Sequence, residues 1–232
     1  AMSLLSKAKV GTAGSVDVIE RYAPWLAYWR SEPDGGQTHA INAGLARASG
    51  DLFHFINSDD VLEPGALEAI ALKMSGADVV AGAVVESGLG KRHVVRNRNL
   101  SARALLEDQA TFRQPGVVLR TDKLREIGGF DADFQYAFDK AALIHYIYKC
   151  PRVRYTSKIL VRFRYHSNSK TISQPDGFAC ENGRILQALG RRIGDDEFRR
   201  LRHRAQARLE IEKRLAVSLR ARTSSLGKCV DI

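Results

Sequence analysis

Leu52-Phe53-His54-Phe55-Ile56-Asn57-Ser58-Asp59-Asp60 passes from an apolar block into a polar cluster that ends in two adjacent acids. A short apolar run bounded by turn residues is the pattern of a buried strand. Paired carboxylates at the C-terminal edge of such a strand repel each other and lose hydration. A divalent cation relieves both penalties, and open α/β sheets bind ligands beyond the carboxyl ends of their strands. A solvated turn whose aspartates cap the next helix fits the same letters, so the surroundings must decide.

Working outward from it, Gln37 to Ala48 has Ile41, Leu45 and Ala48 at helical spacing, with Gly50 closing it. Before that come a strand at Leu26-Ala27-Tyr28-Trp29, a loop from Ser31 to Gly36, and a helix from Ser15 to Tyr22. That helix is capped by Ser15, buries Val18 and Ile19, and stops at Ala23-Pro24. On the other side, Pro64 opens a helix to Met74 carrying Leu67, Ile70 and Leu72, and Asp78 to Val85 reads as a strand. Alternation of this kind predicts an α/β layered sheet. Further along, the spacing predicts a strand at Gly116–Leu119, short helix at Asp122–Ile127, helix at Phe138–Tyr148 and extended chain over Tyr155–Tyr165. Two helices follow from Phe178, parted near Gly194 with Asp195 as cap. The second runs from Glu197 to Arg222 on a stripe of Phe198, Leu201, Ala205, Leu209, Leu215 and Leu219.

Composition narrows the class. The chain has 232 residues, 44% hydrophobic and 27% charged, which suits a folded globular protein. It lacks the ~18–20 consecutive apolar residues of a membrane span. Cys150, Cys180 and Cys229 form neither a disulfide framework nor a zinc pattern, and residues Met2 to Lys7 do not read as a secretory signal, so a cytoplasmic setting is expected. The formal charge is +10, and Glu181 to Ile232 carries 13 basic against 7 acidic side chains. Lys91, Arg92, Arg96, Arg98 and Arg103 make a second basic stretch. Arg199, Arg200, Arg202, Arg204 and Arg208 suit peripheral contact with an anionic membrane surface. Nucleic acid is not the expected partner, because Phe198 is the lone aromatic of that tail.

The run Tyr28-Trp29-Arg30-Ser31-Glu32-Pro33-Asp34-Gly35-Gly36-Gln37-Thr38-His39-Ala40-Ile41-Asn42-Ala43-Gly44-Leu45, then Ala48-Ser49-Gly50-Asp51, then Phe55 through Leu67 closely resembles family 2 glycosyltransferases. These are inverting enzymes of the GT-A fold that use nucleotide-activated sugars. The similarity continues through Gln114-Pro115-Gly116-Val117, Gly128-Gly129-Phe130-Asp131, Tyr136-Ala137-Phe138-Asp139 and Phe163-Arg164-Tyr165-His166, covering Gly14 to Lys170.

The resemblance implies a Rossmann-like sheet flanked by helices in residues 1–177, with a basic helical extension over 178–232. It implies Mn²⁺ or Mg²⁺, a nucleotide-sugar donor, and a saccharide or lipid-linked acceptor belonging to a polysaccharide or lipopolysaccharide precursor. Localisation would be cytoplasmic and peripheral on the inner face of the cell membrane; self-association stays open. Asp59 would face the donor ribose and Asp60 would hold the metal. Asp34, Gln37 and Asn42 would line the nucleotide side, His166 would approach the metal or diphosphate, and Asp139 would be the general base. Ordinary structure also accounts for three of these: helix capping for Asp139, a turn for Asp34 and a surface position for His166. Asp139 lacks the second acid that many relatives place beside the base, and Asp131 and Asp133 are the other acids nearby. The family pattern begins near Gly11-Thr12-Ala13-Gly14, with too few residues before it for another strand–helix–strand unit. An N-terminally incomplete GT-A domain is therefore expected, and a non-catalytic binding or assembly module is the alternative to an active enzyme.

Overall fold

The computed structural model describes residues 5–8, 14–31, 35–167, 169–208 and 210–211. In chain order its elements are β1 (Leu5–Ala8), α1 (Ser15–Tyr22), β2 (Tyr28–Ser31), α2 (Gln37–Arg47), β3 (Leu52–Phe53), β4 (Val61–Leu62), α3 (Ala66–Met74), β5 (Val79–Gly88) and β6 (Lys91–Arg96). They continue with α4 (Ala102–Leu106), β7 (Val117–Arg120), α5 (Thr121–Glu126), α6 (Phe138–Lys149), β8 (Val153–Arg164), α7 (Lys170–Ser173) and α8 (Pro175–Ile193). Helical backbone resumes over residues 196–208.

Strand β5 is the spine, its residues Val79 to Glu86 all buried. An uninterrupted apolar run is what a strand covered on both faces requires. Val79 and Ala81 enter one core with α4, α5, α6 and α8, while Val80 enters a second with α3. The sheet runs β3-β7-β5-β8-β4, with β6 added to β5. β5 and β8 are parallel, so their C-terminal ends lie together, whereas β7 is antiparallel to β5. β1 and β2 form a separate two-stranded parallel sheet linked through α1.

Some expectations shift. α1 starts at Ser15, but Gly14 occupies the cap and no residue of the helix is buried; Val18 is 52% exposed. The neighbouring two-stranded sheet is too small to cover its apolar stripe. In α3 the buried face is Ala66, Ile70 and Met74, while Leu67 and Leu72 face outward. The helix starts after Gly65 rather than at Pro64, and its buried residues recur every four positions. β3 ends at Phe53, because His54 and Phe55 are held to the other segment by a bond between His54 Nε2 and Pro115 O at 2.8 Å and by Gln114 Nε2 donating to Phe55 O at 2.7 Å. The basic stretch at Lys91 becomes a hairpin strand, turned at Leu89 and Gly90 with φ of 50° and 74°. Positive φ at both central residues gives the twist a two-residue hairpin needs.

Asp195 caps the last helical segment as expected, its Oδ1 accepting from Phe198 N at 2.7 Å. Ile185, Leu189, Phe198 and Ala205 join the core that contains α6. Leu215 and Leu219, and the side chain of Leu209, lie outside the described residues. Among the described residues no helix is long and apolar enough to cross a membrane.

Candidate active site

Asp60 sits where β8 ends. Its Oδ1 accepts from Arg164 N at 3.2 Å, and its Oδ2 accepts from Asn57 N and Nδ2 at 3.2 and 3.3 Å. It is 7% exposed. Burial pushes its pKa up from the ordinary carboxylate value, the like charge of Asp59 adds to that, and the bonds from Arg164 and Asn57 oppose it. Asp59 lies beside it, and its Oδ2 is 2.9 Å from His166 Nε2, just beyond β8. A tight turn after β3 and the end of β8 thus bring Asp59, Asp60 and His166 together from segments 107 residues apart in the chain.

Two carboxylates and an imidazole make an oxygen-rich donor set suited to Mn²⁺ or Mg²⁺. The desolvated Asp60 carboxylate is met by neutral amides, and a cation would supply the charge it lacks. Among the described residues no three His, Cys, Asp or Glu side chains form a ready-made cage. Mg²⁺ bound together with a phosphate substrate usually needs only one or two carboxylates, so the residues present fit that kind of site.

On the donor side, Gln37 at the start of α2 donates from Nε2 to Asn57 Oδ1 at 3.0 Å, and its Oε1 accepts from Lys170 Nζ at 3.3 Å. Lys170 also donates to Gln135 O at 3.3 Å and lies 5.6 Å from the centroid of the Tyr136 ring. Asn42, one helical face further, bonds Phe130 at both ends of its amide: Nδ2 donates to the carbonyl at 2.7 Å and Oδ1 accepts from the amide at 3.0 Å. That bonding makes it a support for the segment leading to α6. Asp34 lies outside the described residues.

Asp139 stands in the first turn of α6, with Ala137 at the cap, and its Oδ1 accepts from Lys140 N at 2.7 Å. It lines a cavity of about 20 Å³ with Phe53, Phe55, Phe112, Gln114, Val117, Leu119, Phe130 and Leu143. These apolar walls push its carboxyl up to about 6, against the helix amides and Lys140; Glu181 adds a small upward push. The space holds about one water and no sugar ring. A larger cavity of about 330 Å³ shares the Phe112 wall and is also lined by Leu105, Asp108, Ala110, Thr111, Arg113 and Lys140. That volume suits a small ligand. Asp131 is drawn toward Arg192 at 3.6 Å, and Asp133 is exposed.

Sequence reading missed Lys170 and Glu181. Lys170 carries no local pattern. Glu181 did carry one, because it falls four and eight residues before Ile185 and Leu189, on the buried stripe of α8. A carboxylate on such a stripe demands hydrogen-bond partners.

The sequence profile of glycosyl transferase family 2 matches residues 11–147. The uncharacterized glycosyltransferase Rv1514c of Mycobacterium tuberculosis is 33% identical over 167 residues, covering 60% of this chain and 56% of that protein. The uncharacterized glycosyltransferase YwdF of Bacillus subtilis is 32% identical over 121 residues, covering 49% and 45%. The chain thus spans about half the length of these curated relatives. Among solved structures, S. aureus TarS 1-349 in complex with UDP-GlcNAc superimposes with a TM-score of 0.63 at 17% identity, over 82% of this chain and 57% of that one. The mannosyltransferase PcManGT from Pyrobaculum calidifontis, in complex with GDP-Man and Mn2+, gives 0.53 at 16% identity, over 98% and 72%. At such identities the likeness is one of fold.

Proposed function

Taking as premise that this chain belongs to glycosyl transferase family 2 and has the GT-A form of α/β fold, we propose that it moves a sugar from a nucleotide-sugar donor to a hydroxyl of a saccharide or lipid-linked acceptor. The transfer is a single in-line displacement with inversion and depends on a divalent cation. The observation that carries this reading is Asp60: a buried carboxylate, beside Asp59 and His166, at the C-terminal end of a parallel strand pair and met by amides alone among the described residues. The nucleotide-sugars held by TarS and PcManGT, and the Mn2+ of the latter, support the donor class and the metal.

Asp60 and His166 would hold the cation, whose chemistry is to stabilise the charge of a departing diphosphate. Asp59 turns toward the ribose, and Gln37 positions the turn through Asn57. Lys170 places a second positive charge on the same side. The acceptor would occupy the about 330 Å³ cavity; Phe112 lies between it and Asp139, and the small space beside Asp139 has room for the one water that would relay the proton of the hydroxyl. Asp139 takes up the proton during attack, and a base with a pKa of about 6 is largely ionised at neutral pH yet still holds a proton usefully. Exposed Arg199, Arg200 and Arg204 would meet the anionic membrane that carries a lipid-linked acceptor.

Calorimetry with UDP-GlcNAc and GDP-mannose, with and without Mn²⁺, tests the reading. Metal-dependent heat with at least one donor, lost in Asp60→Ala, is the expected result. Silence with both donors at saturating Mn²⁺, or unchanged binding in Asp60→Ala, would count against it.

A further inference from the structure

Glu181 is 6% exposed, yet it comes from a helix beyond the matched portion of the chain. Its two carboxylate oxygens accept from three consecutive backbone amides: Gln135 N at 2.8 Å, Tyr136 N at 2.7 Å and Ala137 N at 2.8 Å. These are the residues that lead into α6. Three successive N–H groups converging on one anion form a nest, a strongly orienting arrangement. Neighbouring contacts keep the same register: Phe178 meets the Tyr136 ring edge-on at 5.3 Å, and Ile185 and Leu189 anchor α8 in the core beside α6.

The arrangement separates two tasks that one acid could otherwise have to share. The amides ahead of α6 need acceptors, and Glu181 supplies them, so Asp139 engages the amides at its own position in the helix, that of Lys140 at 2.7 Å, and stays against the cavity wall. We infer that Glu181 is a positioning residue for the acceptor side of the site, its carboxylate fixing the backbone entry to α6 so that Asp139 and Lys140 face the two adjoining cavities. This rests on the proposed role of Asp139 as base.

Charged groups facing Asp139 are Lys140 on its own helix, Asp108 paired to Lys140 at 2.5 Å, and Glu181 from α8. Glu181→Gln removes the charge and puts an amide NH₂ among N–H donors; Glu181→Asp keeps the charge but shortens the reach. For both variants in the full chain, turnover is expected to fall about tenfold to a hundredfold, the cost of a small misplacement, while UDP affinity in Mn²⁺ stays within about twofold. Amide exchange at Gln135, Tyr136 and Ala137 should quicken in Glu181→Gln while the global melt remains cooperative. The acid limb of the rate profile should move to lower pH in Glu181→Gln and stay in place in Glu181→Asp, a difference that simple loss of folded protein does not produce. Unaltered turnover and exchange in both variants, or a matched fall of turnover and UDP affinity with the limb unmoved, overturns the inference. An inactive wild-type chain overturns the functional reading and this inference with it, whereas an active wild type with unaltered variants overturns this inference alone.

Discussion

The two ends of the parallel pair β5–β8 treat a buried carboxylate in opposite ways. At the N-terminal end Asp78, 1% exposed, is held by Lys123 Nζ at 2.6 Å, by the Arg152 guanidinium at 3.0 and 3.1 Å, and by Arg152 N at 3.2 Å. Hydrogen bonds from Arg152, with Lys123 adding to them, hold its carboxyl well below the ordinary range in spite of burial. At the C-terminal end Asp60 has amides alone among the described residues, and burial moves it the other way. Asp139, enclosed by apolar rings, also rises. A carboxylate that only ties strands together is surrounded by fixed cations. Asp60, proposed above to accept a cation, has none bonded to it among the described residues, and in that reading the deficit would be a reservoir of binding energy.

Asp60→Ala should give the largest effect. Transfer should drop by about a thousandfold or more, and Mn²⁺-dependent nucleotide binding should vanish in calorimetry. The melting temperature should hold or rise, because an uncompensated buried charge is removed. A large loss of stability instead would place Asp60 in the same class as Asp78 and break the comparison.

Asp139→Asn is expected to lower turnover by about 10² to 10⁴ while leaving nucleotide affinity in place. In the wild type, kcat should climb as pH rises through about 6, since the base must be ionised to act. A pH-independent rate between pH 5 and 7 would remove it from the proton transfer.

Asp78→Asn should leave donor binding intact and cost stability, read by urea unfolding. We expect about 2–3 kcal/mol, below the ~3–5 of a fully buried pair, because Arg152 is 61% exposed and can rehydrate. Its linkage follows from a lowered folded constant: the stabilisation is full above the unfolded value near 3.8 and fades as pH falls below it. Wild type and variant should therefore converge in stability on acidification. The smallest effect belongs to Tyr146→Phe. The Tyr146 hydroxyl donates to Asp78 O at 3.0 Å and accepts from Arg120 N at 3.1 Å, so its loss should cost about 1–2 kcal/mol with no change in turnover.

Much of this was legible in the letters. The apolar run from Asp78 to Val85 announced a strand, and the passage from Leu52 to Asp60 announced a strand running into an acidic turn, although β3 itself stops at Phe53 and the acids meet the end of β8. The spacing of Ile41 and Leu45 gave α2 correctly. What escaped depends on contacts across the chain. The α1 stripe looks buried until the size of the sheet beside it is known, and the β6 hairpin hides behind basic residues because nearly all of its side chains are exposed. The pairing of Asp59 with His166 joins segments that only the sheet brings together. The resemblance puts Asn42 on the nucleotide side, and the letters do not show that its hydrogen bonds also join it to Phe130. Glu181 looks like one charge among many until its buried stripe is drawn.

Asn42 and Phe130 together have one more consequence. Thr38 Oγ1 also donates to Phe134 O at 2.8 Å, so two turns of α2 are stitched to the strap that ends at Asp139. Gly129, at φ +66°, lies so close that a Cβ there would stand 2.7 Å from Asn42 Oδ1. A methyl group at this seam would wedge α2 away from the strap that leads to Asp139. In the proposed reaction, the spacing between leaving group and nucleophile would thus depend on one side-chain-free position at the seam between α2 and that strap.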